Sequence, residues 1–117
     1  MDDLNSVLIE GTLTKDVELT NGNGLTVCKF SLSSNRYIEK DKSIDKIETF
    51  VTVKAFSNHS KKYFFKALKG MGIRVVGRLK QDNNLIIVEA KHIEFRYEAN
   101  KKKNLKELLF DEENNIE

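Results

Sequence analysis

A chain of 117 residues fits one domain with a single core, and 39% apolar against 32% charged residues describes a globular but wet body. No proline, no tryptophan and one cysteine exclude a polyproline stalk and an internal disulfide, and the two histidines make no zinc-binding spacing with Cys28. The formal charge is only +2, yet thirteen Lys or Arg face four acids between Lys29 and Lys80, while Asp111 to Glu117 holds four acids and no base. That asymmetry suggests a polyanion-binding body with a separate tail; the plainer reading is a surface kept soluble by lysines. The acidic start Met1-Asp2-Asp3 and the lack of an apolar run near 18 residues lead us to expect a soluble protein of the cytoplasm.

Taken in order, Leu4 to Leu13 sets Val7, Ile9, Gly11 and Leu13 against Leu8, Glu10 and Thr12, the period of a strand. Gly11 inside it points to a bulge, a bend or the close approach of another backbone. After Thr14 to Leu19 comes Asn21-Gly22-Asn23-Gly24, and Asn-Gly supplies the positive φ of a tight hairpin. The second predicted strand runs from about Leu25 to Ser33. Cys28, Phe30 and Leu32 share one face, Val27, Lys29, Ser31 and Ser33 the other, so Cys28 reads as a small buried hydrophobe. Ser34 to Lys46 is polar and charged, and reads as a mobile excursion or an extended hairpin tip. Its Arg36-Tyr37 pair suits one phosphate and one base gripped together, although loop tyrosines are also ordinary.

The third predicted strand, Ile47 to Ser57, has two unlike faces. Thr49, Val51, Val53 and Ala55 suit a core, because alternate strand residues point to one side. Phe50, Thr52, Lys54 and Phe56 place two rings roughly 20 Å apart with a cation and a hydroxyl between them. Unpaired, stacked nucleotides need such a surface; the plainer reading is two rings packed under a loop. Ser57-Asn58 opens a predicted helix to Lys69, with Tyr63, Phe64, Ala67 and Leu68 on its packing stripe, and Gly70 as its left-handed stop. His59 is assigned to the surface. In the fourth strand, Gly72 to Lys80, the inward set is Ile73, Val75, Gly77 and Leu79. The outward set is Arg74, Val76, Arg78 and Lys80, three cations in line as a phosphate track. A turn at Asp82-Asn83-Asn84 leads to the fifth strand, Leu85 to about Phe95, whose alternation breaks near His92 and Ile93 as at a bulge. Residues 1–97 thus read as one folded unit. Residues 98–117 read as a charged hinge and an acidic tail, with Leu105, Leu108 and Leu109 spaced for a short helix.

Three strands, a helix and two strands describe an all-β, five-stranded OB-fold barrel with a helix between strands 3 and 4. Such barrels offer one face and its loops to oligonucleotides. Gly11 and Gly77 fit the bends the barrel needs.

Four segments carry a family resemblance: VLIEGTLTKD from Val7, FSLSSNR from Phe30, FVTVKAFS from Phe50 and LKGMGIRVVGRL from Leu68. In this order and spacing the chain resembles the bacterial single-stranded DNA-binding proteins, from roughly Leu4 to Phe95. The resemblance implies sequence-tolerant binding of single-stranded DNA in replication, recombination or repair, at the nucleoid and without catalysis. It puts Phe50 and Phe56 at base-stacking positions and Arg36 and Tyr37 near a third. Lys54, Arg74, Arg78 and Lys80 are the candidate phosphate contacts. It also implies a homo-oligomer, a tetramer in preference to a dimer, joined through the first strand at Asn5, Val7, Ile9 and Gly11. The chain departs from the family in its short turn at Asp82-Asn83-Asn84 and in lacking a Gly- and Gln-rich linker and an acidic tip ending in Pro-Phe. A smaller site is therefore expected, and recruitment of replication or repair proteins by the tail stays open. Primosomal replication protein B, a tail-less and usually dimeric OB-fold module, is the first alternative, and a protein-docking adaptor is another. No nucleophile motif or Gly-rich phosphate loop points to an enzyme, and no cofactor or metal is expected. RNA remains open, since nothing in the strands addresses a 2′-hydroxyl.

Overall fold

The computed structural model describes residues 1–22, 24–56 and 67–97. They form six strands: β1 Val7–Leu13, β2 Glu18–Gly22, β3 Leu25–Lys40, β4 Ser43–Phe56, β5 Gly72–Asp82 and β6 Leu85–Tyr97. The sheet order is β1-β5-β6-β4-β3-β2, and β1 returns to β3 through Thr12↔Ser33 and Leu13↔Leu32, which closes a barrel. Neighbours are antiparallel except β4 and β6, parallel at Val53↔Val88 and Lys54↔Glu89. This is the OB-fold. The expected third, fourth and fifth strands are β4, β5 and β6. Of the expected helix, 57–66 lie outside the described residues, as does the tail at 98–117.

The barrel closes because β1 changes partner at a glycine. Val7 to Thr12 pair with β5, from Val7↔Gly77 to Thr12↔Gly72, whereas Thr12 and Leu13 also pair with β3. A Cβ on Gly11 would collide with the Ser33 carbonyl oxygen and with Leu32, so only glycine lets β1 cross there. At Gly77 a Cβ would strike the carbonyl oxygen of Glu89. The ladder steps from Val76↔His92 to Gly77↔Ala90, which leaves Lys91 as the extra residue of a bulge. The break expected near His92 and Ile93 is this bulge.

Inside, Leu13, Cys28, Phe30, Leu32, Val53, Ile73 and Val75 are fully buried. Burying each larger side chain of this set is worth about 1.5–3 kcal/mol. The stretch before β5 is stitched beneath the β1–β2 connection. Leu13 N–H donates to the Met71 carbonyl (2.8 Å), Gly70 N–H to that of Leu13 (2.9 Å), and Lys69 N–H to Asp16 Oδ1 (2.7 Å). Gly70 has φ 93°, as its place at a chain reversal requires.

Two features differ from the sequence expectation, and a third decides between two readings of it. Glu18–Gly22 is a strand, paired with β3 from Glu18↔Lys29 to Gly22↔Leu25. Ser34 to Lys46 is no loop: β3 and β4 run on as a paired arm from Ser34↔Thr49 to Lys40↔Ser43, turning at Asp41 (φ 47°) and Lys42. Almost all of the arm is exposed on both faces, so it has no apolar alternation to read. Of the two readings left open for this stretch, the extended hairpin is the outcome. Finally, Leu79 points with the inward set but is 48% exposed, because β5 there has run past the end of β1. The Asn5 side chain takes the place of the missing strand. Its Nδ2 donates to the Leu79 carbonyl (2.9 Å), and Leu79 N–H donates to its Oδ1 (2.8 Å).

Candidate nucleic-acid interface

Within the barrel, β4 turns Val51, Val53 and Ala55 inward and Phe50, Thr52, Lys54 and Phe56 outward. Thr49, expected with the inward set, is exposed because β4 has by then left the barrel for the arm. Opposite the outward set, β3 places Ser33, Ser31, Lys29 and Val27. The same face continues up the arm through the pairs Asn35↔Glu48, Tyr37↔Lys46 and Glu39↔Ile44. Tyr37 thus shares a face with Phe50, roughly 13 Å farther along β3 than Phe50's partner Ser33. Phe50 is 68% and Tyr37 63% exposed, so both rings present a π-face to solvent. Arg36 pairs with Ile47 on the opposite face, beside the Ile38↔Asp45 and Lys40↔Ser43 pairs. Arg36 and Tyr37 are not brought together around one nucleotide, because neighbours on a strand point to opposite sides.

The lower wall is built differently. Phe56 is half-buried, with Lys80 Nζ 4.4 Å from its ring centroid, a cation–π contact. Two residues along, Lys54 Nζ donates to Asp82 Oδ2 at 2.5 Å, with both side chains about one-third exposed or less. Both contacts reach from β4 to β5 over β6. Ile87 pairs with Lys80 and so points outward, yet it is only 2% exposed and stands apart from the main core cluster. The hydrogen bond from Lys54 holds the Asp82 carboxyl below its ordinary range. Desolvation opposes that shift, and the charges of Lys54, Lys80 and Lys29 reinforce it.

Every cation among the expected phosphate contacts of the barrel has a carboxylate partner. Lys54 has Asp82; Lys80 and Arg78 share Glu89 at 3.6 and 3.8 Å. Arg74 sits in a separate ladder over β1, β5 and β6. It pairs with Glu10 and lies 3.8 Å from Glu94, while Glu10 also holds Arg96 at 3.3 Å and His92 lies 3.0 Å from Glu94. The track therefore divides into two charge environments. Lys29 was missing from the candidate set: it faces Lys54 directly across β3 and β4 and belongs to the wall. Its outward position was readable from alternation, but its neighbour on another strand was not.

The four residues expected at a subunit boundary serve their own barrel through their side chains or backbone. Asn5 bonds to Leu79, Val7 and Ile9 pack against the core, and Gly11 lies against Ser33. From Val7 to Gly11 the second edge of β1 has no strand partner among the described residues.

A small closed barrel with exposed rings and cations along one wall belongs to the class of oligonucleotide-binding folds. The model of the single-strand binding protein family matches residues 4–103, and the chain belongs to that family, one of non-enzymatic DNA-binding proteins. The single-stranded DNA-binding protein of Borreliella burgdorferi is 35% identical over 85 residues, 71% of this chain and 56% of that protein. The wild-type single-stranded DNA binding protein of Thermus aquaticus has a similar structure, with TM-score 0.69 at 21% identity, over 80% of this chain and 50% of that one. The PriB protein of Ralstonia solanacearum gives 0.66 at 12% identity, over 81% of this chain and all of its own. The chain thus spans about half the length of the curated relative and of the Thermus protein. Among the described residues no helix is long and apolar enough to cross a membrane, and no group of three His, Cys, Asp or Glu lies together to hold a metal ion.

Proposed function

We propose that this protein binds single-stranded DNA with little regard to sequence. Bases stack on Phe56, Phe50 and Tyr37, phosphates meet Lys54, Arg78 and Lys80, and Arg36 and Arg74 meet the backbone farther out. The observation that carries this reading is the single outward face that runs from Phe56 through Phe50 to Tyr37, with two of its rings largely in solvent. Each stacked base is worth roughly 1–3 kcal/mol by alanine substitution, and a duplex keeps its π-faces hidden. Affinity should fall with salt at a log–log slope of about −0.7 per phosphate contacted. Anisotropy titrations of labelled oligo-dT and a matched duplex at several salt concentrations test it. Equal affinity for the two, or no loss in Phe50→Ala, sinks the stacking reading.

The setting we propose is replication, recombination or repair in the cytoplasm, at the nucleoid. The edge of β1 between Val7 and Gly11, unpartnered among the described residues and with Leu8 exposed beside it, supports pairing of copies through that edge, and the assembly we propose is a tetramer in preference to a dimer. The contact would be main-chain pairing, since Asn5, Val7, Ile9 and Gly11 are engaged within their own barrel. Mass in solution with and without oligo-dT gives subunit count and stoichiometry together. A PriB-like module is the second reading. It is favoured by the short Asp82-Asn83-Asn84 turn and by the fold match over the whole PriB chain, and a dimer in that measurement would support it.

A further inference from the structure

The wall at Phe56 already holds an anion of its own. Lys29 and Lys54 stand directly opposite each other, an arrangement that repels unless something negative lies between or beside them. Lys80 lies over the neighbouring ring. Asp82 reaches this group from β5 and takes the Lys54 hydrogen bond at 2.5 Å. The bridge is the most sheltered ion pair among the described residues, with side chains 26% and 30% exposed, and by register it spans the buried Ile87. The charges of Lys54, Lys80 and Lys29 all favour the ionised carboxylate. A pair of ammonium groups beside an aromatic ring is what a nucleotide's phosphate and base require together, and here the carboxylate stands where the phosphate would go.

We propose that Asp82 is an autoinhibitory contact: an internal stand-in for phosphate that lowers affinity, that a ligand must displace from Lys54, and that a ligand able to stack on Phe56 displaces with a net gain. This inference rests on the single-stranded DNA reading above. Its physical content is a competition. A phosphate arriving alone exchanges one anion for another at Lys54, and the displaced Asp82 takes up a cation from solution, so little counterion is released on balance. A duplex offers only phosphates and stops there. A single strand also supplies a base to the ring beside Lys54. Glu89 stands in the same relation to Arg78 and Lys80 at longer range.

The test uses the full chain with Asp82→Asn, and Asp82→Ser as a second neutral variant should Asn disturb the turn, both checked by thermal melting. Labelled dT oligomer and matched duplex are titrated by anisotropy at several salt concentrations. Removing the carboxylate should tighten dT binding about tenfold and duplex binding by no more than that, so that the preference for single strands is kept or widened. The salt slope for dT should steepen by about 0.7, one further phosphate contact's worth of ion release. In a Lys54→Gln background the same substitution should give no gain. Unchanged or weaker binding by both neutral variants, while Phe56→Ala still weakens dT, overturns the role of Asp82 and leaves the stacking reading standing. A gain that survives Lys54→Gln overturns the proposed route through Lys54. A parent protein with no preference for dT over duplex overturns the stacking reading, and this inference falls with it.

Discussion

Along one pair of strands, Phe56 lies half-buried under Lys80 beside the Lys54–Asp82 bridge, whereas Phe50 and Tyr37 stand in solvent on the face that leads up the arm. The wall side chains have given up their freedom on folding. The arm side chains give it up only when something binds, at about 0.5–1.5 kcal/mol for each rotamer-rich group immobilised. A surface built this way meets its ligand with a rigid foot and an adaptable reach. Equal contact areas on wall and arm should therefore not be worth equal affinity.

The sharpest way to break this comparison is to remove the rings one at a time. Phe56→Ala should cost the most, towards the upper end of the 1–3 kcal/mol range for stacking, because it also takes away the surface that positions Lys80. Phe50→Ala should fall in the middle of that range, read as oligo-dT affinity by anisotropy. If Phe50 and Phe56 cost the same, pre-ordering of the wall contributes nothing. Replacing 37–46 by Asn-Gly, so that the paired Arg36 and Ile47 are joined by a two-residue turn, removes most of the arm and its ring together. No residue from 34 to 49 belongs to the core, so the melting temperature should move by no more than a few degrees while dT affinity drops severalfold. A large fall in melting temperature would mean that the arm supports the barrel after all. Within the arm, Tyr37→Ala should lose about 1 kcal/mol of affinity. Arg36→Ala, on the other face, should flatten the salt slope by about 0.7 and leave base preference unchanged. Equal changes in both readouts for both variants would contradict their placement on opposite faces.

The smallest expected effect is in acid. Lys54 holds the Asp82 carboxyl below its ordinary value by hydrogen bonding, and Lys15 does the same for Glu18. A folded pKa below the unfolded one means stability that is present above the unfolded value and is lost as pH falls through the folded one. The wall bridge should therefore persist from neutral pH down through the range in which unperturbed carboxylates protonate. Carboxyl-carbon NMR should show Asp82 and Glu18 titrating below ordinary Asp and Glu values. An ordinary value for Asp82 would make the wall as loosely held as the arm.

The barrel was legible where one face of a strand is dry and the other wet. Cys28, Phe30 and Leu32, then Val51, Val53 and Ala55, then Ile73 and Val75 announce their direction by period alone, and the structure puts them where that period says. In the stretch Asn21-Gly22-Asn23-Gly24 the positive φ falls at Gly24 (77°), past Asn21 and Gly22, which pair within β2, while Asp82-Asn83-Asn84 marked its turn by chemistry, with Asn83 at φ 58°. The arm was legible only as one of two readings because water lies on both sides of it, so Ser34 to Lys46 has no reason to alternate. Its turn at Asp41-Lys42 also lacks the Asn-Gly signal. Thr49 and Leu79 show the opposite error, a correct period carried past the end of the barrel. In the candidate site, rings and cations were visible in the sequence, but Asp82, Glu89 and Glu10 come to them from other strands. A one-dimensional reading counts a cation without seeing its partner.

Cys28 sits at the centre of β3 opposite Ala55, is fully buried, and is the protein's one cysteine. A thiol reagent meets it only during the moments when the strands around it part. The rate of its modification, set against that of an unfolded reference, counts those moments and converts them into a free energy of opening. A sequence without tryptophan thus contains an intrinsic clock for its own breathing. Run in the presence of DNA, that clock would record how tightly a ligand on the outer wall closes the barrel behind it.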